Sequence, residues 1–106
     1  MGGREARAET LISFRPAAAR ELIAAVAHYD RDRDGRGQRF ADAVERALEL
    51  LVALPQAAPI LLAPDIRAAK VRYFPYRVIY VVVRDTIDVI AVAHAKRRPG
   101  YWQRQR

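Results

Sequence analysis

Residues Tyr73 to Trp102 read YFPYRVIYVVVRDTIDVIAVAHAKRRPGYW, and this stretch decides the fold. Two runs rich in β-branched and aromatic residues flank the polar pair Asp85-Thr86. Such residues suit the pleated surface of a strand, and a polar pair between two such runs indicates a turn. The stretch therefore predicts a β-hairpin whose second strand runs from Ile87 to His94. The run Val81-Val82-Val83 lacks alternation, which indicates a central strand covered on both faces.

The residues before the hairpin predict a strand, two helices and a further strand. Glu9 to Phe14 alternates well enough for a first strand. Apolar residues at helical spacing predict helices from Pro16 to Tyr29 and from Gly37 to Leu54, the second ended by prolines. Asp65 to Tyr73 is predicted as a strand, and residues 57–64 as an ordered crossover. The predicted apolar stripes are Ala19, Leu22, Ile23 and Val26 in the first helix, and Phe40, Val44, Ala47, Leu48, Leu51 and Leu54 in the second.

This order of elements predicts an α+β fold. A helix hairpin needs a sheet to cover its apolar stripes, so we expect an antiparallel curved β-sheet of order β-α-α-β-β-β with the hairpin packed on one face. Residues 9–106 are expected to form a single domain. Residues 1–8 carry no periodic signal and are expected to be a disordered extension.

Composition and charge narrow the functional classes. The 106 residues include no cysteine and carry a net charge of +7, which excludes a disulfide framework and a thiolate zinc site and predicts a negatively charged partner. No apolar run reaches the roughly 18 residues of a membrane helix, and no secretory signal is evident. We therefore expect a cytoplasmic protein with no membrane partner. From His94 onward there is no acid, and the segment carries five cations that indicate a contact surface: Lys96, Arg97, Arg98, Arg104 and Arg106.

The segment Asp30 to Gly35 alternates aspartate and arginine and imitates the start of a calcium-binding EF-hand loop. The twelfth position of that loop is Ala41, where a bidentate glutamate is required, and several arginines add positive charge. We predict no calcium, no other metal and no cofactor. The segment is instead expected to be an internally paired loop in which Gly35 and Gly37 make the turn.

Four residues are candidates for chemistry. As a histidine, His94 is either a general acid or base or a structural hydrogen-bonding group. In RNA cleavage by a ribose 2′-oxygen, Arg77, Arg97 and Tyr101 are suited to stabilise phosphorane charge and protonate the leaving oxygen. The alternative is that Arg77 pairs with an acidic neighbour and Tyr101-Trp102 packs the tail. The residues expected to contact a nucleic acid or protein target are Lys70, His94, Lys96, Arg97, Arg98 and Trp102.

The sequences of two segments, Phe74 to Tyr80 and Val92 to Trp102, resemble those of the RelE/ParE toxin superfamily. The FPYR segment and the H-x-x-R-R-P segment together resemble the branch called plasmid stabilisation proteins. The resemblance extends from Leu11 to Trp102, nearly the whole chain. At Arg15, before the first helix, that family often has a serine.

The resemblance implies the toxin of a type II toxin–antitoxin system, neutralised by an antitoxin that we expect to be acidic and encoded nearby. ParE-like members poison DNA gyrase without catalytic residues, whereas RelE-like members cut messenger RNA on the ribosome. Arg77 and Arg97 match arginines of RelE-like enzymes, while Tyr101 falls near their tyrosine and Lys70 matches only loosely. The wording favours the ParE-like alternative. A third interpretation, from the basic tail alone, is a nonspecific nucleic-acid binder.

Overall fold

The computed structural model describes residues 11–105. The predicted extension 1–8 and the first two residues of the predicted first strand lie outside the described residues. The elements are β1 (Leu11–Phe14), α1 (Pro16–Asp32), α2 (Arg36–Ala53), β2 (Ile60–Leu62), β3 (Ile66–Lys70), β4 (Tyr76–Val83), β5 (Thr86–His94) and a 3₁₀ helix (Tyr101–Gln105).

The strands form one sheet in the order β1-β5-β4-β3-β2. The predicted hairpin is β4 and β5, and β4 is central as expected. Two details differ from the prediction. The sheet is mixed, because β1 runs parallel to β5. The predicted crossover also holds a fifth strand, β2, which pairs with β3 in an irregular register. Three residues between two prolines are too few to show a period.

The turn regions also differ from the prediction. The hairpin turn is Arg84-Asp85, and Arg84 takes a left-handed backbone with φ 56°. Strand β3 ends at Lys70, three residues before the predicted end. The chain turns there because the backbone N–H of Val71 donates to the carbonyl of Tyr76, which closes the connection to β4.

Both helices pack on one face of the sheet and form the main core with β4 and β5. The stripe of α2 is mostly as predicted, but that of α1 is rotated. Its buried residues are Ala18, Ala25 and Tyr29. The predicted Leu22 and Val26 are partly buried and pack against the core, whereas the predicted Ile23 is 68% exposed. Small alanines face the core because they allow the close approach that the isoleucine would prevent. No helix among residues 11–105 is long and apolar enough to cross a membrane.

Four aromatic rings close the end of this core. Tyr29 of α1 and Phe40 of α2 meet Phe74 of the β3–β4 connection and Tyr76 at the start of β4, with ring centroids 4.8–6.1 Å apart. Most of these contacts are edge-to-face, an arrangement that aromatic pairs prefer. The cluster fixes the position of the β3–β4 connection against the helices.

The predicted internal pairing of the loop between the helices is confirmed, although α1 continues through Asp32. The carboxylate of Asp30 accepts the backbone N–H of Gly37 at 2.9 Å, and Arg36 pairs with Asp32 at 2.8 Å. Gly35 makes the turn with φ 84°. The turn role predicted for Gly37 is wrong, because this residue lies within α2 and is buried.

Gly37 permits the close crossing of the two helices. A Cβ at this position would lie 2.5 Å from the carbonyl oxygen of Val26 and 2.6 Å from Cγ of Asp30. We expect Gly37→Ala to lower the free energy of unfolding by about 1–3 kcal/mol, as overpacking does, measured by urea denaturation. Gly35→Asn is the control, because asparagine tolerates a left-handed backbone and the position is open. An unchanged midpoint for Gly37→Ala would contradict this crossing geometry.

Candidate functional site

The face of the sheet opposite the helices carries a groove of about 340 Å³. Leu61 and Leu62 of β2 line one side, and the segment after β5 lines the other. Arg77 and Ile79 of β4 and Ala93 of β5 belong to the strands between them. The full lining is Leu61, Leu62, Arg77, Ile79, Ala93, His94, Ala95, Arg97, Arg98, Pro99, Gly100, Tyr101, Trp102 and Gln103.

Strand register places two cations side by side at this face. Lys70 of β3 lies directly opposite Arg77 of β4, and Arg77 lies opposite Ala93. Because side chains alternate along a strand, Arg77 shares its face with Ile79, which belongs to the open-face cluster. Within the described residues neither cation has an ion-pair partner. Two unpaired positive charges at adjacent positions make this end of the groove attractive to an anion.

The tail after β5 is held on the open face by Trp102. Its side chain is 4% exposed and packs in the apolar cluster with Ile66, Ile79 and Ile90. The alternative that Tyr101-Trp102 packs the tail against the sheet therefore holds for Trp102, whose ring is buried in this cluster. Burial of this ring fixes one wall of the groove.

Glu21 of α1 links the tail to the edge of the sheet. Its Oε1 accepts the backbone N–H of Val92 at 2.9 Å, and its Oε2 accepts the hydroxyl of Tyr101 at 2.6 Å. Strand β1 ends at Phe14, which pairs with Val89, so β5 continues past its neighbour and leaves backbone groups to be satisfied. One carboxylate thus connects α1, β5 and the 3₁₀ helix.

This contact sets the chemistry of Tyr101. Burial, followed by the hydrogen bond to Glu21, raises the pKa of the Tyr101 hydroxyl well above its usual value. The guanidinium of Arg97 lies 3.8 Å from the centre of the Tyr101 ring and opposes the shift only partly. The hydroxyl is therefore neutral at pH 7, and its proton is donated to Glu21.

His94 lies at the end of β5, opposite Tyr76. Its ring contacts the Tyr76 ring edge-on at 5.0 Å between centroids, and its Nδ1 accepts the backbone N–H of Lys96 at 3.0 Å. Tyr76 packs against the core on the helix side, so the imidazole of His94 lies on the face opposite Arg77. This geometry matches the structural alternative for His94.

Comparison with known proteins gives the chain its family. A family model described as the ParE toxin of the type II toxin-antitoxin system, parDE, matches residues 12–99. The chain belongs to the ParE toxin family. It is thus a member of the RelE/ParE superfamily and the toxin of a type II toxin–antitoxin system. Arg15, where the resemblance implied a serine, forms an ion pair with Asp88 at 2.8 Å and gives α1 no side-chain cap.

Solved structures share the fold of this ParE-family chain. A structure described as the chromosomal ParDE TA system from P. aeruginosa matches with a TM-score of 0.71 and 15% identity, covering 83% of this chain and 98% of that one. The isolated E. coli RelE toxin matches with a TM-score of 0.62 and 22% identity, covering 92% and 95%. A mutant of E. coli RelE in the free state matches with a TM-score of 0.56 and 19% identity, covering 84% of this chain and 86% of that one. No curated protein sequence matches the chain.

Most of the predicted site residues of this ParE-family toxin meet at one groove. Arg77, Arg97, Arg98, Tyr101 and Trp102 line it, whereas Lys70 lies beside Arg77. His94 also lines the groove, and Lys96 is exposed in the turn after β5. Which of these residues act on a target stays a prediction.

Sequence reasoning missed Glu21 and the two leucines of β2. Glu21 is three residues after the buried Ala18 and four before the buried Ala25, so it lies on the inward stripe of α1. A carboxylate among small buried residues indicates that a neighbouring element supplies a hydrogen-bond donor to it. Its partners Val92 and Tyr101 are 71 and 80 residues away.

We expect Glu21 and Tyr101 to be thermodynamically coupled. A double-mutant cycle of Glu21→Gln and Tyr101→Phe, measured by urea denaturation at pH 8, should give a coupling of about 1–3 kcal/mol, as for a hydrogen bond to a charged group. Because the pKa of Tyr101 is raised on folding, its contribution is complete below the unfolded pKa of about 10 and is lost as pH rises through the folded pKa. A coupling near zero at pH 8 would contradict the contact.

Proposed function

We propose that this toxin is ParE-like and acts by binding DNA gyrase rather than by catalysis, and that an acidic antitoxin neutralises it. The match to the ParE toxin family supports the assignment, as does the wording of the FPYR and H-x-x-R-R-P segments. The action itself depends on contact area and charge at the groove and tail.

The observation that carries this proposal is that Tyr101 and His94, the candidate acid and base, are both engaged in hydrogen bonds within the protein. The Tyr101 hydroxyl donates to Glu21 at 2.6 Å. His94 borders the groove, but its ring packs edge-on against Tyr76 and its Nδ1 already accepts the backbone N–H of Lys96. The described lining of the groove contains no carboxylate. General acid–base catalysis requires a group that reaches the proton it transfers. The groove instead presents cations, which suit electrostatic contact with an acidic surface.

A RelE-like nuclease is the second candidate, and the placement of two arginines favours it. Arg77 and Arg97 line the same groove, with Lys70 beside Arg77. Guanidinium groups bind phosphate bidentately and stabilise the charge that develops on a phosphorane. For this mechanism Tyr101 would have to leave Glu21 before it could serve as the acid.

Two variants separate these mechanisms. If the toxin is a gyrase poison, replacing the exposed pair Arg97 and Arg98 with alanine should weaken inhibition about tenfold or more, because contact charge is lost, whereas Arg77→Ala should have a smaller effect. Inhibition is measured as trapped cleavage complexes with purified gyrase. Side-chain replacement is preferred to truncation, since removing the tail would also remove Trp102 from the core. Arg20→Ala, at an exposed position of α1, is the control.

The nuclease alternative predicts the opposite order. Programmed ribosomes mixed with the toxin would yield cuts positioned by codons, and Arg77→Ala would reduce the cleavage rate about a hundredfold or more with little change in ribosome binding. Such cuts, lost with Arg77→Ala, would overturn the gyrase proposal. Trapped gyrase complexes with intact messenger RNA would support it.

The antitoxin is expected to be a small acidic protein encoded next to the toxin gene. Opposite charge speeds the encounter with a +7 chain, and a segment that folds on binding supplies apolar anchors. Co-expression of the adjacent gene with this chain should yield a complex on affinity purification. A neighbouring protein that is basic, or that fails to co-purify, would contradict this expectation.

A further inference from the structure

A second cleft, of about 430 Å³, lies between α2 and the β3–β4 connection. The groove on the open face does not share any of its lining residues. Those residues are Arg36, Arg39, Asp42, Ala43, Arg46, Tyr73 and Phe74. The cleft therefore combines three guanidinium groups with two aromatic rings and one carboxylate.

Tyr73 has a costly backbone and an exposed ring. Its φ is 74°, a left-handed conformation that is unfavourable for a residue with a bulky side chain. Its neighbour Phe74 packs into the aromatic cluster of the core, whereas Tyr73 is 81% exposed. Burial therefore does not account for the ring at this position. The guanidinium of Arg72 lies 5.0 Å from the ring centre, and the high exposure leaves most of the ring surface accessible.

The arginines of α2 form the positive wall of the cleft. Arg36 is held by Asp32 and lies 4.9 Å from the ring centre of Tyr29. Arg39 and Arg46 are exposed, and within the described residues neither forms an ion pair. The one carboxylate, Asp42, accepts a hydrogen bond from the amide of Gln38 at 2.8 Å. The cleft thus keeps two guanidinium groups available for an anion.

The cleft is continuous with other positive surface. Tyr73 and Phe74 also line a shallow depression around the β3–β4 connection, together with Lys70, Arg72 and Arg77. Arg77 in turn lines the groove on the open face. A chain of negative charges could therefore extend from the cleft across the connection.

We propose that this cleft binds single-stranded nucleic acid, with a base stacked on the Tyr73 ring and the adjoining phosphates held by Arg39 and Arg46. An exposed aromatic ring beside a positively charged track is the combination that binds unpaired strands, because every base has a flat face and every nucleotide a phosphate. Guanidinium groups also fit phosphate bidentately. An acidic peptide would use the arginines but would leave the Tyr73 ring without a role. The proposal holds whether the toxin acts on gyrase or on the ribosome.

The binding is tested with the purified full-length chain and fluorescein-labelled oligonucleotides, by fluorescence anisotropy. The probes are a ten-nucleotide oligo-dT, the matching oligo-rU and a duplex of the same length. We expect both single strands to bind more tightly than the duplex, and the ratio of the two shows whether DNA or RNA is preferred. Tyr73→Ala should weaken binding of the single strands about tenfold or more, as loss of one stacked base does, while Tyr73→Phe should retain it.

A matched pair of double variants separates the cleft from general charge. The first double variant replaces Arg39 and Arg46 of the cleft with alanine. The second replaces Arg20 and Arg104, which lie outside the cleft. Each removes two exposed positive charges. We expect the first pair to weaken binding at least fivefold more than the second and to reduce the salt dependence of the affinity. Equal effects of the two pairs, or no effect of Tyr73→Ala, would overturn the proposal.

Two further measurements complete the test. Tyr73→Gly relieves the left-handed backbone, so its melting temperature should equal or exceed that of the unmodified chain although its binding is weakened as in Tyr73→Ala. A simultaneous loss of binding and of folding in this variant would count against a binding role for the ring. A labelled glutamate-rich peptide is the competing probe. If it binds with the same dependence on Tyr73 and the arginines while oligonucleotides do not, the cleft is a protein-docking site and the proposal is wrong.

Discussion

The β4–β5 hairpin buries apolar side chains on both faces, whereas the helices cover only one. Val78, Tyr80 and Val92 face the helices, and Ile79, Ala91 and Ala93 face the other way. The second face must be covered by what the chain has left, which is the segment after β5. A buried tryptophan removes about 150–250 Å² from water, so at about 25 cal/mol per Å² its burial contributes several kcal/mol. Trp102 supplies this cover, and the part of the face that it leaves open becomes the groove.

Glu21 makes that cover a fixed part of the fold rather than a loosely attached tail. A carboxylate at a half-buried position loses solvation, and hydrogen bonds to the charged group offset this loss. Here one donor belongs to the sheet edge and the other to the 3₁₀ helix. Only Pro99 and Gly100 separate Arg97 and Arg98 from the helix, so the positions of these cations follow from this attachment. The same contact engages the Tyr101 hydroxyl. The hydrogen bond that stabilises the tail therefore also keeps this hydroxyl from acting as an acid in the groove.

The parts of the fold that the sequence predicts are those that depend on local composition and periodicity. The β4–β5 hairpin and both helices follow from composition and periodicity over 8 to 18 residues. Strand β2 did not, because it is three residues long and its pairing is set by β3 rather than by its own residues. The rotation of α1 was also hidden, since alanine carries almost no hydrophobic signal although it permits close packing. Glu21 was missed because its partners are remote in sequence and its burial depends on that rotation.

Two local features oppose folding, and they lie at the same end of the molecule. Lys70 and Arg77 are like charges directly opposite each other on neighbouring strands, an arrangement that destabilises a sheet. Tyr73, in the connection between those strands, holds a left-handed backbone that glycine would adopt at lower cost. Tyrosine favours strands, so Tyr73 itself did not indicate a turn, although Pro75 two residues later is a turn signal. Arg84 also takes a left-handed backbone, but it lies in the tight β4–β5 turn, where that conformation is common. Departures from local preference that a turn does not account for are commonly found at functional sites. An anion bound across this connection would relieve the repulsion between the two cations. The close approach that costs stability in the free toxin would then contribute binding energy to such a complex.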